Sequence, residues 1–552
     1  MTEMRERDIQ KILSTNPHLA SYLQEIKKTM DAPIFLSNIP RELKNESKVN
    51  IIYPTKGFIF IHIYPSGEQQ NLVYLAIEPV LSDIEREKEL QVLDLILTRI
   101  IEKKSAITDD ELRKNINELI EELIIIDKHE EKNISGKPLK RWSSKKPSYI
   151  KASELQKQKI QYFIIKELLG GGKIECFMRD PYIEDIHVIA GENIHLIHKI
   201  FGMIKTNVII THEEAPRFIK ILSERMGSPV SEGRPIVDGV LPDGSRGNII
   251  FSKAISIKGP SMTIRRFSEN PISITQLIEW KTLSAGIGAY LWLCLQYGRS
   301  FFLCGGTACG KTTTMNAIIP FVPPEKKIYT AEGTPELQVP HTVWQRLLTK
   351  TTGPKEGQVD LFDLLKAALR SRPDYIIPGE VRGAEGNIVF QAMQTGHPVM
   401  TTFHAGNVTK VIQRFTGDPI NVPKTFMDNL DFVLIQLAIE RDGKMIRRCV
   451  SIDEIEGYNR EVDGIMARKA FEWKAESDVH LFTANKNSYI LEEKIAKNAG
   501  YVDTAEIYVE YQRRKQILER MVEERIFDYY DVVQCIWGYY RDGLEGLPFS
   551  VV

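Results

Sequence analysis

The run Gly305-Gly306-Thr307-Ala308-Cys309-Gly310-Lys311-Thr312 fits the pattern G-x-x-x-x-G-K-[ST]. The apolar residues Phe301 to Cys304 before it suit a buried strand, and Thr312 to Phe321 after it reads as a helix stopped near Pro323 and Pro324. A strand that feeds a glycine-rich turn into a helix N-terminus aims backbone N–H groups and the positive end of the helix dipole at one point, and Lys311 adds a full charge there. This is the construction of a nucleoside triphosphate cradle. The expected binding residues are Gly305, Gly306, Thr307, Ala308, Cys309, Gly310, Lys311, Thr312 and Thr313, with the Thr312 hydroxyl directed to Mg²⁺.

Phosphoryl transfer needs positioned water and stabilised charge more than covalent chemistry. Three carboxylates follow expected strands, where parallel sheets gather ligands. Glu380 follows Ile376 and Ile377 as the acid of a Walker B-like element, placed to orient water or to hold Mg²⁺ through water. Glu332 and Glu336 follow the strand Lys327 to Thr330, and either one suits the polarisation of the attacking water. His404 follows Val399 to Thr402, a position from which it would sense nucleotide state. His397 and His404 bracket that strand and lack the spacing of metal ligands on a helix. No arginine lies in the loop or its helix. Arg246, Arg265 and Arg266, just upstream, are the candidates to meet the γ-phosphate from the same chain or a neighbour, the alternative being pairing with carboxylates.

Such groups need a frame. Beyond Pro271, strands and helices alternate as in an α/β parallel sheet covered on both faces. The expected helices are Phe362 to Arg370 and Ala384 to Thr395. The further strands are Tyr375 to Ile377 and a hairpin of Phe432 to Ile439 with Met445 to Ile455, turned at Asp442-Gly443. A helical tail follows, Thr504 to Glu523 and Asp528 to Tyr540, whose aromatic stripe reads as core. Upstream, strands and helices mix in two smaller α+β regions. The first contains helices Asp83 to Glu102 and Asp109 to Ile126. Between the two, a basic stretch without apolar periodicity reads as a linker. The expected organisation is 1–130, a linker at 131–150, 151–270, and an ATPase region with its helical tail at 271–552.

The chain has 552 residues, with 72 Lys and Arg against 73 Asp and Glu, so net charge offers no argument for nucleic acid, and none is expected as a partner. The six cysteines are scattered without C-x-x-C spacing, which suits a reducing cytoplasm and gives no zinc site. The N-terminus is too charged for a signal peptide, and the most apolar stretch, Ala289 to Leu295, is far shorter than the roughly 20 residues of a membrane span. Any membrane association is expected to be peripheral.

Taken in order, the P-loop, Glu332 to Glu336, the run Arg370 to Gly383, Gln394-Thr395-Gly396-His397 and Thr402-Phe403-His404-Ala405 resemble the Walker A, Asp box, Walker B and His box of the type II/IV secretion ATPases. Pro242-Asp243-Gly244-Ser245-Arg246 is similar to their N-terminal domain, so the likeness covers roughly residues 151 to 455. The loop GGTACGKTTT and the helical tail look most like the archaeal branch, which includes the archaellum motor. The resemblance implies a RecA-like core behind a PAS-like domain, with ATP and Mg²⁺ as cofactors. It implies a cytoplasmic homo-hexamer at the inner face of the membrane, beneath a polytopic platform protein, powering assembly or rotation of a filament. Carried onto this sequence, it makes Lys311, Glu332, Glu336, Glu380, His404, Arg246, Arg265 and Arg266 catalytic, and Thr312 and Glu380 metal-associated.

Two departures stand out. Gly333 occupies the position after Glu332 where the Asp box usually carries Asp, which shifts weight to Glu336. The tetracysteine zinc element of many pilus-assembly members is absent, since no cysteine lies between Cys309 and Cys449. The rival readings are a DNA-transfer ATPase of the same superfamily and a nucleotide-gated scaffold that does not hydrolyse. Retention of Lys311, Thr312, Glu336 and Glu380 argues against the scaffold.

Overall fold

The computed structural model describes residues 4–40, 43, 49–55, 58–66, 71–100, 109–127, 149–252, 254–267, 270–350, 355–441 and 444–551. Most of the expected linker 131–150 and the Asp442-Gly443 turn lie outside them. The chain forms two compact units, residues 1–267 and 268–552.

In the first unit, strands from both upstream regions lie in one ten-stranded sheet, joined by parallel pairing of Asn71–Ile77 with Gly202–Ile209. The two regions therefore share a core. At that junction the fully buried Asp180 carboxylate accepts hydrogen bonds from the Tyr53 hydroxyl at 2.7 Å and the Tyr74 hydroxyl at 2.8 Å. Burial raises the Asp180 pKa, and the two phenols and the Tyr182 amide offset part of that cost. The helix expected to reach Ile126 ends at Leu123, and Ile124–Ile126 becomes a short strand parallel to Ile150–Ala152. Three consecutive isoleucines, stiff at χ1, fit a pleated strand better than a last helical turn.

In the second unit the strand before the P-loop, Phe301–Gly305, is buried throughout and parallel to both neighbours, Met400–Phe403 on one side and Phe432–Arg441 on the other. Strands covered on both faces read as continuous apolar runs, which is why these were visible in the sequence. Ile328–Glu332 lies between Trp344–Leu348 and Tyr375–Pro378, all parallel, and an Ile376–Val399 bridge ties this group to the sheet that holds the P-loop strand. The core is RecA-like, of the α/β class. Antiparallel strands Lys444–Asn459, Gly464–Lys474 and Val479–Phe482 extend the sheet on the far side.

The apolar stretch after Pro271 is two helices, Ile274–Glu279 and Ala285–Gln296, with Ser273 and Ser284 as their N-caps. The tail helices Ile507–Glu523 and Tyr529–Asp542 close over the helix Ala285–Gln296 and the residues after the P-loop helix. Trp292 stacks on Phe321 with centroids 5.2 Å apart. Trp537 donates to the Pro320 carbonyl at 3.2 Å, and the Tyr540 hydroxyl donates to that of Phe321 at 2.6 Å. The aromatic stripe thus packs as core, with its polar edges spent on main-chain carbonyls.

Candidate nucleotide site

The P-loop turn is set by contacts that leave no room for a side chain. A Cβ on Gly305 would stand 2.1 Å from the Gln436 carbonyl oxygen and 2.6 Å from Cys309 Sγ. Gly310, at φ 92°, turns the loop into the helix Lys311–Ile318 through left-handed backbone that favours glycine. Gly306, Thr307 and Ala308 remain exposed, while Cys309 is packed inward. Cys309 is therefore a packing residue of the loop, its thiol pKa raised by burial.

Lys311 Nζ donates to the carbonyls of Gly305 at 3.2 Å and Gly306 at 2.9 Å, and lies 3.5 Å from Nε2 of His404. The same imidazole nitrogen lies 2.9 Å from Oε1 of Glu380. Burial, and then the Lys311 ammonium, lower the His404 pKa, so this ring is neutral at pH 7 and its contact with Glu380 is no ion pair. Glu380 sits in a two-residue strand paired with Thr402 and Phe403, and its Oε2 accepts from Arg382 Nε at 2.8 Å. Lys311, His404 and Glu380 are thus brought together. His397 lies at the opposite end of the strand, in a turn where its ring is 3.0 Å from the Thr395 hydroxyl.

The two Asp-box glutamates take different places. Glu332 is 1% exposed; its Oε1 accepts from the backbone N–H groups of Glu336 and Leu337, both at 2.8 Å. Its Oε2 has no hydrogen-bond partner among the described residues and lies 3.9 Å from Arg346 Nε. Burial pushes its carboxyl up to about 7. Glu336 is exposed, and the Thr312 hydroxyl donates to its Oε2 at 2.9 Å. Glu332 thus orders the turn that carries Glu336 through one carboxylate oxygen, while the other is buried without a hydrogen bond among the described residues. A Cβ on Gly379, where a generic Walker B would carry Asp, would lie 3.1 Å from Cγ of Glu332. Glycine there makes space for the buried acid.

Thr312 Oγ1, the Glu336 carboxylate and the Glu380 carboxylate are hard oxygen donors, as Mg²⁺ prefers. Among the described residues no group of three or more His, Cys, Asp or Glu side chains could hold a metal ion by itself.

In the first unit, Arg265 is largely exposed and donates to Asp185 at 3.1 Å. Arg246 is its exposed cross-strand partner on one side, and Asp185, opposite Arg265 on the other, offsets part of the repulsion between the two arginines. The Arg266 guanidinium donates to the main-chain carbonyl of buried Asp180, a packing contact. Of the three arginines, Arg246 and Arg265 are the better presented to an anion.

Two groups went unnoticed in the sequence. Gln436, 1% exposed, donates from Nε2 to the Cys309 carbonyl at 2.6 Å and accepts from the Thr314 hydroxyl at 2.9 Å, clamping both ends of the loop. The available signal was a lone amide in the apolar run Phe432 to Ile439. The second group is a set of arginines within this unit: Arg346 beside Glu332, Arg382 on Glu380, and Arg414, which donates to the His404 carbonyl and lies over Phe403. Arg382 stands just after Glu380 in the same run, whereas Arg346 and Arg414 come from distant parts of the chain that no local pattern joins to it.

A family profile described as "Type II/IV secretion system protein" matches residues 179–522, more than half of the chain. The uncharacterised protein MJ0900 of Methanocaldococcus jannaschii is 50% identical over 551 residues, 99% of each chain. The conjugal transfer protein TrbB of Rhizobium radiobacter is 30% identical over 256 residues, covering 45% of this chain and 76% of that protein. Among solved structures, the ATPase DotB of Legionella pneumophila overlays with a TM-score of 0.39 at 18% identity, covering 65% of this chain and 93% of that one. The profile match and the full-length relative agree with the motif order around the P-loop: this chain belongs to the type II/IV secretion system ATPase family.

Proposed function

We propose that the chain hydrolyses ATP to ADP and phosphate with Mg²⁺, as the motor of a filament system of the archaellum or type IV pilus kind. The observation that carries this reading is the convergence of Lys311, Thr312, Glu336, Glu380 and His404 at the carboxyl ends of parallel strands. Lys311, now held by two loop carbonyls, would exchange them for β- and γ-phosphate oxygens. Thr312 and Glu380 would hold Mg²⁺, which when bound supplies charge neutralisation at the phosphates. Glu336, exposed beside Thr312, is the better base to orient the attacking water. Glu332 acts through Glu336 as a positioning residue. His404, touching both Lys311 and Glu380, would report the presence of the γ-phosphate to the strand behind it.

In this reading six copies form a ring on the inner face of the membrane, and a polytopic platform protein receives the movement. No described helix is long and apolar enough to cross a membrane, so the chain would attach through a partner or a surface. The similarity to a conjugal transfer protein supports a second reading, a DNA-transfer ATPase of the same superfamily. Capture of membrane partners from the native cell separates the two: a polytopic filament platform supports the first, components of a DNA-transfer channel the second. Phosphate release that requires Mg²⁺ tests the enzymatic core of both, and its absence under every nucleotide and metal condition would refute it.

A further inference from the structure

The P-loop strand has a chemically different neighbour on each side. On the side of Met400–Phe403 lie His404 and Glu380, and Lys311 reaches toward them. On the other side, beyond Phe432–Arg441, the strand Lys444–Asn459 brings Arg447 opposite Ala438. Arg447 is exposed, and its Nε donates to the Ala308 carbonyl at 3.1 Å. Its side chain also runs beside Gly310, where a Cβ would lie 3.4 Å from Arg447 Cδ and 3.0 Å from Gln436 Nε2. The ladder register shifts between Ile435 and Gln436, an irregularity of the kind that re-aims side chains beside active sites.

A triphosphate whose γ-phosphate faces Lys311 and the carboxylates must run its α-phosphate away from them, along the loop and toward the helix N-terminus at Gly310. That end is where Arg447 stands. With Nε on the loop, the exposed Arg447 has two further N–H-bearing groups in its fork, and a guanidinium in that position suits a phosphate oxygen. We infer that Arg447 is a nucleotide-binding residue that recognises the α-phosphate. It is a role distinct from the γ-phosphate chemistry of Lys311, and it rests on the reading of the P-loop as the ATP site.

Because ADP and ATP share the α-phosphate, Arg447→Ala should weaken both by the same factor, at least about tenfold. The drop in kcat/KM should follow that factor, the pattern of binding that is uniform between ground and transition states. Arg447→Lys keeps the charge but loses the fork that holds loop and phosphate together, and should recover only part of the affinity. Calorimetric titration of the full chain, its two Arg447 variants and Lys311→Ala with ADP and with ATP measures all of this, with thermal melts confirming that each variant is folded. Equal affinities in Arg447→Ala and the parent, weakening of ATP alone, or a fall in kcat/KM with binding intact would each overturn the assignment. A parent chain that binds neither nucleotide would instead refute the ATP site on which it rests.

Discussion

Glu332 and Glu336 stand four positions apart, and burial separates their roles. Glu336→Gln should keep nucleotide binding while turnover falls about a hundredfold or more, the usual scale for a general base. Turnover within about threefold of the parent, measured by phosphate release, would exclude Glu336 as the base. Glu332 carries a different signature. Its folded pKa of about 7 stands above the ordinary 4.5. Its contribution to stability is therefore complete below pH 4.5 and lost as pH rises through 7, at most about 3 kcal/mol. Replacing it with Gln should remove this loss, so the parent's melting temperature should fall between pH 5 and 8 by more than that of Glu332→Gln. Parallel melting profiles would show that Glu332 is not desolvated as described.

At the scale of elements, the P-loop depends on a neighbouring strand as much as on its own glycines. Gln436→Leu would leave the Cys309 carbonyl and the Thr314 hydroxyl without their recorded partner, at about 1–3 kcal/mol for each group left unsatisfied. Weaker binding of ADP and ATP together with a lower melting temperature is the expected outcome, and unchanged values for both would show that the clamp is dispensable. The core strands were legible in the sequence because parallel strands buried on both faces are apolar throughout, and the P-loop because its chemistry is contiguous. Gly464–Lys474 was not, since its face is only partly covered and its charged residues hide the alternation. Gln436, Arg346 and Arg447 were illegible for another reason: each reaches the site through strand order, and strand order is not written in local periodicity. The difference between Glu332 and Glu336 was equally hidden, because it lies in which carboxylate the turn encloses.

For the whole molecule, the question is how sites are completed. If a neighbouring chain supplies Arg265 or Arg246 to the phosphate, specific activity should rise with protein concentration. Mixing inactive Lys311→Ala chains with inactive Arg265→Ala chains should then restore part of the hydrolysis, since some sites would pair an intact loop with an intact arginine. Specific activity independent of concentration, with no complementation, would mean that each chain completes its own site. Arg266→Ala should instead lower the melting temperature, as expected for loss of its contact with the Asp180 carbonyl. Beneath all of these stands the claim that ATP is hydrolysed at this P-loop. The most direct measurement is Mg²⁺-dependent phosphate release by the parent chain and by Lys311→Ala at equal concentration. The account predicts turnover in the parent and at least a hundredfold less in the variant, with its melting temperature preserved. Equal turnover in the two proteins would contradict it.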